Sequence, residues 1–93
     1  MLSQFVVVSY DISNDRRRTK VMKVLEGYGA HVQYSVFECR LKPAEIAEMR
    51  KQLKKFVGKA DSARLYFIGA DDVKRIEVIG SGEVTTERTV FLH

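Results

Sequence analysis

The sequence has few of the residues that staple, break or anchor a chain. It holds one cysteine, Cys39, so no disulfide can close within it, and no cysteine and histidine cluster offers a zinc site. One proline, six glycines and no low-complexity run exclude the fibrous and disordered classes. Residues 1–4 lack the basic flank and apolar stretch of a secretion signal, and the longest early apolar run, 5–8, is far too short to span a bilayer. The expectation is a soluble, cytoplasmic protein without membrane contact. Ninety-three residues leave room for one core, and a 45 % hydrophobic composition is enough to fill it.

Acidic residues are missing where basic ones gather. Residues 16–23 and 50–59 hold Arg16, Arg17, Arg18, Lys20, Lys23, Arg50, Lys51, Lys54, Lys55 and Lys59, which is ten of the sixteen basic residues and none of the twelve acidic ones. The formal net charge is only +4, so placement says more than total. Clustered cations attract a polyanion by counterion release whatever its sequence. The same clusters also suit the solvated faces of two amphipathic helices, and both readings stand.

Residues 5–10 are β-branched and aromatic and read as a central strand covered on both faces. A helix over 14–28 follows, with Val21, Val24, Leu25 and Tyr28 as its buried stripe and Arg16, Lys20 and Lys23 opposite. Arg17 and Arg18 fall in the first turn, where cations oppose the macrodipole and a bound phosphate would offset the cost. Gly27 and Gly29 punctuate the helix end, Gly29 fitting the left-handed position that ends many helices. Residues 31–41 alternate as one kinked strand or two short ones. Pro43 opens a second helix, 44–57, whose stripe is Ile46, Met49, Leu53, Phe56 and Val57, with Gly58 and Asp61 closing it. Residues 62–68 form a strand, 70–72 a turn, 75–79 a further strand, and 84–92 a strand-like tail that needs a partner. The whole predicts an α+β, ferredoxin-like βαββαβ sandwich with an additional C-terminal strand. Residues 1–80 form the domain, and 81–93 a strand or tail for dimer or partner contact.

Asp11 is the main candidate for chemistry. A carboxylate at a strand end beside cations that can hold phosphate suits Mg²⁺, which takes hard oxygen ligands and neutralises phosphate charge. Aspartate is also a favoured helix cap, so Asp11 has a purely structural reading. One carboxylate is thin for metal chemistry, and a two-fold homodimer would bring a second. Asp61, Asp71 and Asp72 read as solvated loop residues. His31 opens a strand and Cys39 reads as a small core residue, so no nucleophile and base set suggests itself. Gly58 and Lys59 are followed by Ala60, not a hydroxyl residue, which excludes a phosphate loop. Tyr10, Tyr34, Phe37 and Tyr66 could stack on bases, although strand aromatics usually serve the core.

Val8-Ser9-Tyr10-Asp11-Ile12-Ser13, Arg16-Arg17-Arg18, Leu25-Glu26-Gly27-Tyr28-Gly29 and Gln33-Tyr34-Ser35-Val36-Phe37-Glu38 occur in this order. As a set they resemble family two of the CRISPR-associated proteins, the small endoribonucleases that partner the integrase in spacer acquisition. Leu41-Lys42-Pro43 and 61–66 extend the likeness to about two-thirds of the chain. The resemblance implies a ferredoxin-like homodimer in which Asp11 of each subunit binds Mg²⁺ or Mn²⁺. It matches Tyr10 to the neighbouring aromatic, Arg18 and Lys20 to basic positions of the first helix, and Ser35 and Phe37 to the second motif. His31 stands where some relatives carry arginine. The family also includes deoxyribonucleases and members that are chiefly structural.

Two functions are therefore expected. One is a metal-dependent endonuclease of CRISPR adaptation, acting on single-stranded RNA or on DNA, with catalysis and metal at Asp11. Tyr10, Arg16, Arg17, Arg18, Lys20, Lys23, Lys51 and Lys55 would bind nucleic acid, supported by Ser35 and Phe37. The other is a non-catalytic dimeric scaffold for duplex DNA within the integrase complex. A base-reading RNA module is disfavoured, because the strands lack the aromatic ribonucleoprotein motif.

Overall fold

An unbroken β-branched and aromatic run favours a strand paired on both sides, and β1 (Gln4–Asp11) is an inner strand of the sheet, with a neighbour on each side. The computed structural model describes residues 3–86. After β1 come α1 (Asp15–Glu26), β2 (Gly29–Gln33), β3 (Val36–Leu41), α2 (Pro43–Lys54), β4 (Ser62–Ile68) and the short α3 (Ala70–Val73). The strand order is β2-β3-β1-β4, and every pairing is antiparallel. This is the ferredoxin-like arrangement of two interleaved βαβ units. No described helix is long and apolar enough to cross a membrane.

Strand alternation sorts the sheet into two faces. Val6, Val8 and Tyr10 of β1 join Phe37, Cys39 and Leu41 of β3 beneath Val21 and Leu25 of α1 and Ile46, Met49 and Leu53 of α2. On the other face lie Phe5, Val7, Ser9 and Asp11, in register with alternate residues of β3 and β4. There the Arg40 guanidinium stands 5.1 Å from the Phe5 ring centre. Thr85 donates from its N–H (3.1 Å) and its hydroxyl (3.0 Å) to Glu38, and Arg40 Nε donates to the Thr85 carbonyl at 3.0 Å. The chain beyond α3 thus returns across this face to β3.

Local details depart from expectation. Gly29 does not end a helix in left-handed geometry; positive φ among the described residues belongs to Gly80 and Gly82. Gly29 opens β2, where a Cβ would stand 2.4 Å from both Cys39 Sγ and the Glu38 carbonyl oxygen. The first helix closes earlier, at Gly27, whose N–H donates to the Val24 carbonyl at 3.1 Å. Residues 31–41 resolve into two strands joined at Tyr34 and Ser35. α2 stops at Lys54, and Phe56 and Val57 pack on the core from the turn beyond it.

Residues 75–79 are not a strand. The expected turn at 70–72 is instead the four-residue α3, which redirects the chain off the end of β4, and no described strand pairs with 75–79. Val78 and Ile79 are left exposed. Of the expected tail strand, residues 84–86 are irregular and the rest lies outside the described residues.

Candidate functional site

The antiparallel topology brings several loops to one end of the sheet. β4 starts where β1 stops, pairing Ser62 with Asp11. Tyr10 N–H donates to the Ser35 carbonyl at 3.1 Å, which places the tip of the β2–β3 hairpin at that same end. α1 begins there and α2 finishes there, because they leave β1 and lead into β4. The first turn of α1, with Arg16, Arg17 and Arg18, and the stretch Lys54, Lys55 and Lys59 therefore share one end of the molecule with Asp11. Two basic segments about thirty-five residues apart in sequence converge because of strand direction.

Asp11 is not the cap of α1. Asn14 fills that role, its side-chain oxygen accepting from Arg17 N–H at 2.9 Å. Asp11 is exposed, and among the described residues its carboxylate takes no hydrogen bond or ion pair. The carbonyls that follow it are engaged: Arg18 Nη1 donates to Ile12 O at 3.0 Å and to Ser13 O at 3.3 Å. Arg18 Nη2 also pairs with Asp15.

Arg17 and Asp61 form the best-organised polar contact here. Arg17 donates from Nε (3.1 Å) and Nη2 (3.0 Å) to Asp61 Oδ2, which also accepts from Gly58 N–H at 2.7 Å. The Asp61 side chain is 1 % exposed, so it is not the solvated turn residue expected. The first-turn cations expected to await a phosphate are thus already balanced: Arg17 by Asp61, and Arg18 by Asp15 and two carbonyls. Arg16, Lys20, Lys23, Lys51 and Lys55 remain on the helix surface, exposed to solvent.

Tyr10 is not a surface aromatic. Its ring is buried on the helix side of the sheet, 6.4 Å from Phe37, and cannot stack on a base. Burial pushes its hydroxyl pKa up, against a smaller downward pull from Arg18. Phe37 is fully buried and supports the site only through packing, while Ser35 closes the hairpin tip with its carbonyl. His31 lies flat on Phe37, with centroids 4.4 Å apart and planes 4° apart, and its Nε2–H donates to the Tyr34 carbonyl at 2.8 Å. Sequence reasoning left this latch unassigned, because it forms only when the hairpin folds Phe37 of β3 back against His31 of β2.

One chain brings one free carboxylate to this end, and no group of three or more metal-ligating side chains occurs among the described residues. An exposed aspartate is nevertheless a hard oxygen donor of the kind Mg²⁺ takes one or two of, completing its shell with water and phosphate. The donor chemistry fits a metal held between two copies of the chain.

The family model for CRISPR associated protein Cas2 matches residues 4–76. The chain belongs to the Cas2 family. It is 44 % identical over 92 residues to CRISPR-associated endoribonuclease Cas2 3 of Chloroflexus aurantiacus, covering 98 % of this chain and 99 % of that one. The crystal structure of Streptococcus pyogenes Cas2 superposes with a TM-score of 0.72 at 34 % identity, covering 82 % of this chain and 99 % of that one. A chain of a partial Cas6-RT-Cas1–Cas2 complex superposes with a TM-score of 0.75 at 22 % identity, covering 97 % and 99 %, a likeness of fold.

Proposed function

We propose that this protein cuts single-stranded RNA in CRISPR adaptation, as a homodimer whose two Asp11 carboxylates share a Mg²⁺ or Mn²⁺ ion. Membership of the Cas2 family and relatives named CRISPR-associated endoribonucleases support the nuclease activity; the assignment of the site is ours. One observation carries it: Asp11 ends the central strand exposed and without a partner among the described residues, while Asn14 does the capping that would otherwise explain it. The ion would supply charge neutralisation at the phosphate and an activated water. Asp11 holds it. Arg16, Lys20, Lys51 and Lys55 hold the phosphate backbone without reading bases. Arg17 and Arg18 shape the loop between β1 and α1 through Asp61, Asp15 and the carbonyls of residues 12 and 13.

The second copy belongs on the sheet face that carries Asp11, where Tyr66, 45 % exposed, and the half-buried Val7 and Ile68 supply apolar surface. Residues 81–93 serve as the contact arm, to that copy or to an integrase subunit. Gly80, with φ of 101°, lets the chain turn just ahead of it, and Gly82, with φ of 121°, lets it turn at its start. A scaffold for duplex DNA is the second reading, favoured by the exposed cations on both helices.

The test compares wild type with Asp11→Asn on labelled single-stranded RNA and duplex DNA, with and without Mg²⁺. Loss of Mg²⁺-dependent RNA cleavage with binding retained supports the site. Undiminished cleavage by purified Asp11→Asn overturns it, and duplex binding without cleavage by wild type selects the scaffold.

A further inference from the structure

Tyr34 is 90 % exposed at the tip of the β2–β3 hairpin. The exposed ring of Phe67 is engaged, with the Arg50 guanidinium 5.4 Å from its centre. No ring or cation covers Tyr34 among the described residues. Its backbone, by contrast, is pinned. Gln33 pairs with Val36, leaving Tyr34 and Ser35 as a two-residue loop. Such loops favour asparagine and glycine at positive φ. Neither residue here has positive φ, and the β2–β3 register shifts between His31 and Gln33, just ahead of the loop. His31, stacked on buried Phe37, then fixes the Tyr34 carbonyl at 2.8 Å.

A ring free in solvent on a fixed backbone is a pre-organised stacking surface. Its position gives it a use. The β1–β3 register ends at Ser9 and Val36, Tyr10 N–H then bonds Ser35 O, and the next residues on each side are Asp11 and Tyr34, so both lie at the same end of the sheet. We infer that Tyr34 is a specificity-determining residue that stacks on an unpaired base of the nucleic acid whose phosphate lies at Asp11. The substrate class selected is single-stranded, because a base inside a duplex offers no free face to the ring. This inference rests on the reading of Asp11 as the reacting centre.

The test measures binding in the Asp11→Asn background without divalent metal, so that no cleavage intervenes. The probes are a short labelled single-stranded RNA, the same strand with every base replaced by an abasic residue, and a blunt duplex. Tyr34→Ala is expected to weaken binding of the single strand by about 5- to 150-fold. Tyr34→Leu, which keeps bulk without a π face and guards against a folding defect in the alanine variant, should show the same loss. Tyr34→Phe should bind like the parent. Binding of the abasic strand and the duplex should be alike in all variants. Unchanged affinity in Tyr34→Ala and Tyr34→Leu, or an equal loss on all three probes, would overturn the inference. Cleavage by Asp11→Asn itself would instead overturn the metal site and leave the stacking result to stand.

Discussion

Asp61 shows how one side chain can hold a loop that carries no regular structure. Its carboxylate accepts from Arg17 and from Gly58 N–H while almost wholly buried. Asp61→Ala should lower stability by about 1–2 kcal/mol, less than a fully buried pair would cost because Arg17 is part-exposed. A urea midpoint equal to wild type would contradict this. Cys39 supplies a pH signature. Burial, with a smaller push from Glu38, lifts its thiol from 9.0 to about 12. Between those values the unfolded chain has released this proton and the folded chain retains it. Stability present below pH 9 is therefore lost as pH rises toward 12. The fall in urea midpoint from pH 7 to pH 10 should be steeper in wild type than in Cys39→Ala. Tyr10 and Tyr28, also raised chiefly by burial, act in the same sense in both proteins and cancel from the comparison. Asp11 was legible in the sequence because a carboxylate ending an apolar strand is a local feature. Asp61 was not, since its partner Arg17 lies 44 residues away and turn chemistry alone gives no hint of it. Tyr10 was misplaced for a related reason: sequence shows that a strand alternates, but only the packed helices decide which face is covered.

The helices and strands follow their local signals closely, and their ends follow contacts. Asn14 caps α1 as Asx chemistry dictates, and Pro43 opens α2. Asn14→Ala should cost about 1 kcal/mol in urea denaturation, and no measurable loss would contradict the capping assignment. Gly29 was legible as a special position but for the wrong cause. Its constraint is the close approach of β2 to β3, a tertiary fact. Gly29→Ala should destabilise by about 1–3 kcal/mol, as overpacking does, although the backbone angle itself tolerates alanine. A neutral Gly29→Ala would show that the two strands can move apart freely. Residues 75–79 have strand composition, and what denies them a strand is the turn of α3 before them. Composition says what a segment can do, while the preceding element decides where it goes.

At the scale of the whole molecule, the ferredoxin-like topology was readable from the order of strand and helix patterns. The convergence of the two basic segments on the Asp11 end was not, because it depends on which way each strand runs. That convergence predicts strongly salt-dependent binding. Charge reversal at Lys20 and Lys55 should flatten the log–log salt slope for duplex DNA by about 0.9 for each phosphate no longer neutralised. An unchanged slope would remove the helices from the interface. The proposed site requires two copies of Asp11 to meet over one ion. The most direct measurement is the stoichiometry of Mn²⁺ bound to the purified protein, read by electron paramagnetic resonance alongside its sedimentation mass. The expected result is one Mn²⁺ per two chains in wild type and none in an Asp11→Asn dimer. One ion per chain, or retention of the signal in Asp11→Asn, would contradict it.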